Sequence, residues 1–250
     1  MEWFRMIPKR YLVCKGGSRV KIVLICGHYG CGKTNLALNL AARCAERGRT
    51  ALIDMDVVNP YFRSSDYKAI PALQAVRVIS PTSAGTTIDA PCLSPEIFAA
   101  FDGGYDTAIF DVGGDDAGAT SIGQFAARIR EADPDYEMLY VINRYRAGVA
   151  TPDLAAEILA EIEAASRLKA TGIVNNSHLC SLTTAEDVLC TADYARAVAE
   201  RCGLPLVGTA VERRLLDGRQ WDHPIAVDVI VSTPWAGEGT GFTPTDTECQ

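Results

Sequence analysis

The sequence predicts a three-layer α/β protein, a mainly parallel β-sheet with helices on both faces. Three observations predict it. Short apolar runs alternate with helix-patterned segments along most of the 250 residues. The first run stops at a glycine-rich string that opens the first helical pattern, Gly27-His-Tyr-Gly-Cys-Gly-Lys-Thr34. Acidic residues close two later runs, at Asp54 and Asp111. Strands separated by helices of ordinary length make right-handed β-α-β units, and such units build parallel sheets.

The first strand is Val20-Lys-Ile-Val-Leu-Ile-Cys26, apolar almost throughout, as a strand covered on both faces must be. A helix follows over 34–47, with apolar residues at 36, 37, 40, 41, 44 and 45 and Gly48 as its stop. Residues 50–54 form the next strand, and further strands are expected at 76–79, 107–110, 138–142, 170–174 and 206–208. Helical patterns fall near 95–101, 121–131, 152–168 and 184–201. The stretch 80–95 holds Pro81, Pro91 and Pro95, which excludes regular helix and central strand. The expected organisation is one nucleotide-binding domain over 19–235, an N-terminal extension over 1–18 and a loosely ordered tail over 236–250.

Composition narrows the partners. Lys and Arg number 24 against 31 Asp and Glu, giving a net charge of −7 and a pI near 5.0. Such a chain is a poor electrostatic partner for nucleic acid. No apolar stretch approaches the length of a membrane span, and the acidic, proline-containing end is no membrane-binding amphipathic helix. The nine cysteines include no C-x-x-C pair, which reads as a cytoplasmic protein with reduced thiols.

The string at 27–34 fits G-x-x-x-x-G-K-[ST], the Walker A phosphate loop, in its proper setting between strand and helix. Its glycines let backbone N–H groups converge on phosphate oxygens, and the helix N-terminus adds positive potential. The candidate nucleotide-binding residues are Gly27, Gly30, Cys31, Gly32, Lys33, Thr34 and Asn35, with Lys33 on the β- and γ-phosphates and the Thr34 hydroxyl on Mg²⁺. Asp54, Asp56 and Asp111 stand at strand ends, on the side of a parallel sheet where the loop lies. They form a candidate shell for Mg²⁺ and for the attacking water. Gly114, in the turn after Asp111, lets the backbone approach the γ-phosphate and move when it leaves. Short carboxylates at such places also cap helices and turns, the plainer use of the same residues. The three-layer P-loop fold follows.

The strings Gly27-His-Tyr-Gly-Cys-Gly-Lys-Thr34, Asp56-Val-Val-Asn-Pro-Tyr-Phe-Arg63 and Asp111-Val-Gly-Gly-Asp115 resemble the MinD/ParA-like ATPases of the signal-recognition, MinD and BioD class, and within them a bacterial ATP-binding branch. The resemblance covers about 21–210 and implies ATP and Mg²⁺ as cofactors. It implies Lys33, Asp56 and Asp111 as catalytic residues: Asp56 orients the attacking water and Asp111 is the Walker B acid. Thr34, Asp54 and Asp111 would hold the metal. Asn175 or Asn176 would hold the adenine, under the loop after Leu206-Val-Gly208. The loop departs from the family where a signature Lys should follow the first glycine; His28 stands there, and Arg63 is a candidate replacement charge.

The implied function is a slow ATPase switching a protein client, with a homodimer as one symmetric outcome. The strings Asn143-Arg-Tyr-Arg and Asn175-Asn-Ser-His lack the Asp of a guanine-reading Asn-Lys-x-Asp, which favours ATP over GTP. Two other functions fit the same motifs. One is an ATP-dependent small-molecule synthetase of the dethiobiotin or cobyrinate type, its substrate lined by Thr82, Ser83, Thr86 and Thr87. The other is a regulatory module that binds nucleotide without turnover.

Overall fold

The computed structural model describes residues 20–55, 70–79, 96–102, 104–114, 116–216 and 219–231. Eight strands form one sheet: β1 (Lys21–Cys26), β2 (Thr50–Asp54), β3 (Val76–Ile79), β4 (Thr107–Asp111), β5 (Glu137–Ile142), β6 (Gly172–Asn175), β7 (Leu206–Glu212) and β8 (Pro224–Val227). Their order is β3-β2-β4-β1-β5-β6-β7-β8, and every described pairing is parallel. The strands β1, β2 and β4 are buried at every position, which explains the apolar runs at their centres.

The helices are α1 (Lys33–Ala45), α2 (Glu96–Ala99), α3 (Asp116–Gly123), α4 (Ala126–Ala132), α5 (Pro152–Ser166), α6 (Ala185–Leu189) and α7 (Ala192–Cys202). From β1 the chain crosses through α1 to β2 on one side, whereas the later crossovers run towards β8 on the other. Crossovers of one hand in opposite directions place their helices on opposite faces. Thus α1 covers one face, and α3, α5 and α7, packed side by side, cover the other. The chain reverses direction across the sheet at β1. The crevice at the C-terminal end of β1 is therefore the switch point at which parallel sheets bind ligands.

Local chemistry fixes several boundaries. Thr151 accepts a hydrogen bond from the Leu154 amide, and Pro152 follows as the first residue of α5. Thr184 and Asp187 form a reciprocal capping box on α6. At the far end of β1, Lys21 is buried beside Glu137 at 3.2 Å and Asp133 at 3.6 Å and donates to the Asp135 carbonyl at 2.7 Å. Asp133 also accepts the Ile22 amide at 2.9 Å, so this buried charge cluster is hydrogen-bonded into the strand edge.

The structure corrects four expectations. The helix expected at 184–201 is two, because the Thr191 hydroxyl bonds the Val188 carbonyl at 2.7 Å and the chain turns there. The pattern at 121–131 likewise divides into α3 and α4. Strand β7 runs on to Glu212, so Gly208 lies inside a strand instead of opening a loop over the base. Strand β8 was not expected at all. It has four residues and begins with Pro224, an allowed first position of a strand.

Candidate nucleotide site

The loop from Gly27 to Gly32 leaves β1 and turns into α1. Gly32 is the N-cap of α1 at φ 78°, in the left-handed region where a side chain is strained. The turn is held by a Cys31 amide bond to the His28 carbonyl at 3.3 Å, and the first α1 bond runs from the Leu36 amide to the Gly32 carbonyl at 3.1 Å. Lys33 is only 7% exposed, and its Nζ donates to the His28 carbonyl at 3.1 Å, inside the loop. Thr34 follows, half-buried in the first turn of α1.

Two carboxylates flank the loop. Asp54 and Asp111 end β2 and β4 in register, so both side chains lie on the same face of the sheet. They are 0% and 1% exposed. The backbone ties the strand ends together, with the Met55 amide on the Asp111 carbonyl at 2.9 Å and the Val112 amide on the Ile25 carbonyl at 3.0 Å. Gly114 then approaches the loop so closely that a Cβ there would lie 2.7 Å from Lys33 Nζ and from the Tyr29 backbone. Only glycine fits between them.

These donors suit Mg²⁺. Thr34 Oγ1 and the carboxylates of Asp54 and Asp111 are hard oxygen ligands. Among the described residues no cluster of three or more His, Cys, Asp or Glu could cage a metal by itself. Mg²⁺ does not need such a cage, because it takes one or two carboxylates together with phosphate oxygens and water.

On the other side of the loop, Asn176 Nδ2 donates to the Cys31 carbonyl at 2.7 Å. Asn175 is engaged elsewhere. Its Nδ2 donates to Thr191 Oγ1 at 2.9 Å, and its Oδ1 accepts from the Ser177 amide and hydroxyl at 3.2 and 2.7 Å. The sequence offered either asparagine for the base; only Asn176 touches the loop. Asn35 has a different neighbour as well. Its Oδ1 accepts the amides of Ile230 and Val231 at 2.8 and 3.2 Å, and its Nδ2 donates to the Asp228 carbonyl at 3.1 Å, so its side chain holds the segment after β8.

Three side chains that the sequence does not assign to the phosphate loop complete the surroundings. Asn143, fully buried after β5, accepts the amides of Tyr145 and His178 at 3.0 and 3.4 Å and so joins two loops. Arg146 Nε donates to the Gly30 carbonyl at 2.9 Å. His178 sits beside Gly32, where a Cβ on that glycine would lie 2.7 Å from Nε2. The string Asn143-Arg-Tyr-Arg was legible only as an incomplete guanine motif, and no residue type in it announced these contacts.

Both imidazoles here are held neutral. Burial, then Lys33 and Arg146, lowers the pKa of His28. Burial, then Arg146, pushes His178 down to about 4, and its Nδ1 accepts the Cys180 amide at 3.2 Å. Burial pushes the Cys31 thiol up to about 11, so it is a neutral filler of the loop. Asp56, Arg63 and the segment 80–95 lie outside the described residues.

No family model and no curated protein matches the sequence. Solved structures do. FtsY from Mycoplasma mycoides superposes with a TM-score of 0.56 at 17% identity, covering 77% of this chain and 61% of that one. The signal recognition particle receptor FtsY of Elizabethkingia anophelis, solved in complex with GDP, gives 0.53 at 16% identity over 84% of this chain and 63% of that chain. Chloroplast FtsY from Physcomitrella patens gives 0.54 at 17%, covering 88% and 68%. The chain thus spans about 60% of the length of the Mycoplasma FtsY chain. These are signal-recognition proteins, not MinD or ParA proteins, and at such identities the likeness is one of fold. The chain thus has an α/β P-loop-type fold like that of FtsY.

Proposed function

We propose that this chain is an Mg²⁺-dependent ATP-binding protein, and that slow hydrolysis of ATP switches its contact with a protein partner in the cytoplasm. One observation carries the reading. Gly114, in the turn after the Walker B acid, lies against Lys33 Nζ and the Tyr29 backbone with no room for a methyl group. A γ-phosphate held by Lys33 therefore meets the turn directly, and its loss changes what the turn rests on.

The roles follow from the chain's own residues. Lys33 Nζ exchanges the His28 carbonyl for β- and γ-phosphate oxygens, while loop amides and the α1 N-terminus bind the remaining charge. Thr34, Asp111 and Asp54 would hold Mg²⁺, which would neutralise charge on the transferred phosphoryl group. Asp56, two residues past Asp54, orients the attacking water. Asn176 borders the base. Adenine is favoured because neither Asn-containing string places a carboxylate where guanine donors need an acceptor. The Asp-x-Asp at 54 and 56 supports a MinD/ParA-like mechanism within the class. The partner is a second protein or another copy of this chain.

Calorimetric titration with ATP and GTP, with and without Mg²⁺, tests the binding. Lys33→Ala should abolish it while leaving the thermal melt intact, because among the described residues the Lys33 ammonium bonds to the loop itself. Unchanged affinity in that variant would sink the reading. Asp56→Ala should bind ATP as the parent does and release no phosphate in a single turnover; parent-like release would remove Asp56 from its role.

A further inference from the structure

We infer that Arg146 is a second cation of the phosphate loop, reaching the nucleotide's polyphosphate from the connection between β5 and α5; the inference rests on the nucleotide-binding reading above. Its backbone is fixed before any ligand arrives. The Arg146 amide donates to the Asn143 carbonyl at 3.0 Å, and the Arg146 carbonyl accepts the Val149 amide at 2.9 Å. The side chain crosses to the loop, where Nε donates to the Gly30 carbonyl at 2.9 Å. A Cβ on Gly30 would lie 3.0 Å from that nitrogen, so the guanidinium packs closely against the glycine.

The charge is not neutralised locally. Arg77, Arg201 and Arg213 each pair with a carboxylate, at 2.9, 2.8 and 2.9 Å. Among the described residues, Arg146 has no such partner. One of its five N–H donors orients the group on the loop, which leaves the fork of terminal nitrogens for a polyanion. The nearby imidazoles of His28 and His178 are held neutral, so among the described residues the cations bonded to this loop are Lys33 and Arg146. A polyphosphate is the ligand chemistry that two cations bonded to carbonyls of the same backbone N–H nest recognise.

The test uses the full chain with Arg146→Gln and Arg146→Lys, titrated with ATP, ADP and AMP at low and high salt. A cation on polyphosphate gives a loss that grows with phosphate number. Arg146→Gln should weaken ATP about tenfold, a cost of about 1.4 kcal/mol, and leave AMP nearly unchanged. It should also flatten the salt dependence of ATP affinity, and Arg146→Lys should restore most of both. Equal losses for all three nucleotides, with an unchanged salt slope, would make Arg146 only a brace for the loop and overturn the inference. Parent-like affinities in Arg146→Gln overturn it as well. A parent chain that binds none of the three overturns the nucleotide reading itself, and this inference with it.

Discussion

Asn176 Nδ2 lies 2.7 Å from the Cys31 carbonyl, joining the end of β6 to the phosphate loop across 145 residues of sequence. The bond is buried, so a side chain from the end of β6 satisfies a backbone acceptor of the loop away from water. Asn175, one residue earlier, points into a different network of Thr191, Thr209 and Ser177. Adjacent strand residues face opposite sides, which is why two neighbouring asparagines serve a ligand loop and a core.

This separation gives the first prediction. Asn175→Ala removes its bonds to Thr191, Ser177 and Thr209 and should lower folding stability by about 1–3 kcal/mol, while the remaining folded protein binds ATP normally. Asn176→Ala should destabilise less and weaken ATP severalfold, because the Cys31 carbonyl loses its anchor. Denaturant unfolding paired with ATP titration of both variants measures this. A reversal of the two profiles would remove Asn176 from the site.

A second prediction concerns α1. Asn35 and Asn39, one turn apart and directly after Lys33-Thr34, clasp the segment 228–231. Asn39 Oδ1 accepts the Asp228 amide at 2.8 Å, and its Nδ2 donates to the Asp228 carbonyl at 2.9 Å. Asn39→Leu leaves the Asp228 amide without this partner and its carbonyl with Asn35 alone, and should cost about 1–3 kcal/mol. Amide exchange should accelerate at Asp228 above all, with β1 protection retained. Uniform acceleration across β1 and α1 would show a general loss of stability instead.

Much of this was legible from residue pattern. The phosphate loop needs Gly, Lys and Thr at fixed spacing, and the double-sided burial of β1, β2 and β4 demands their apolar runs. The strap over α1 was not legible, because β8 is four residues long and Asn35 and Asn39 look like ordinary polar positions on a helix. Nor was the choice between Asn175 and Asn176, which depends on strand facing at the end of β6. Arg146 was hidden for a third reason. Its bond to Gly30 spans 116 residues and uses a backbone acceptor, which leaves no trace in residue type.

The third prediction is a pH dependence. Burial and Arg146 push the His178 pKa down to about 4 in the folded chain, against about 6.5 for a free imidazole. Between those values the unfolded chain binds a proton that the folded chain does not, so stability rises with pH across that window. Stabilisation from neutral His178 is complete above about pH 6.5 and is lost as pH falls towards 4. The slope for one group is at most about 1.4 kcal/mol per pH unit. His28 is shifted in the same direction, so the parent curve holds both contributions. His178→Gln keeps an amide oxygen for the Cys180 amide and removes one titration. Denaturant unfolding at pH 4.5, 5.5 and 7 should therefore show a shallower slope in His178→Gln than in the parent. Superimposable slopes would mean that His178 carries its proton as readily folded as unfolded, and that Arg146 does not hold the imidazole neutral.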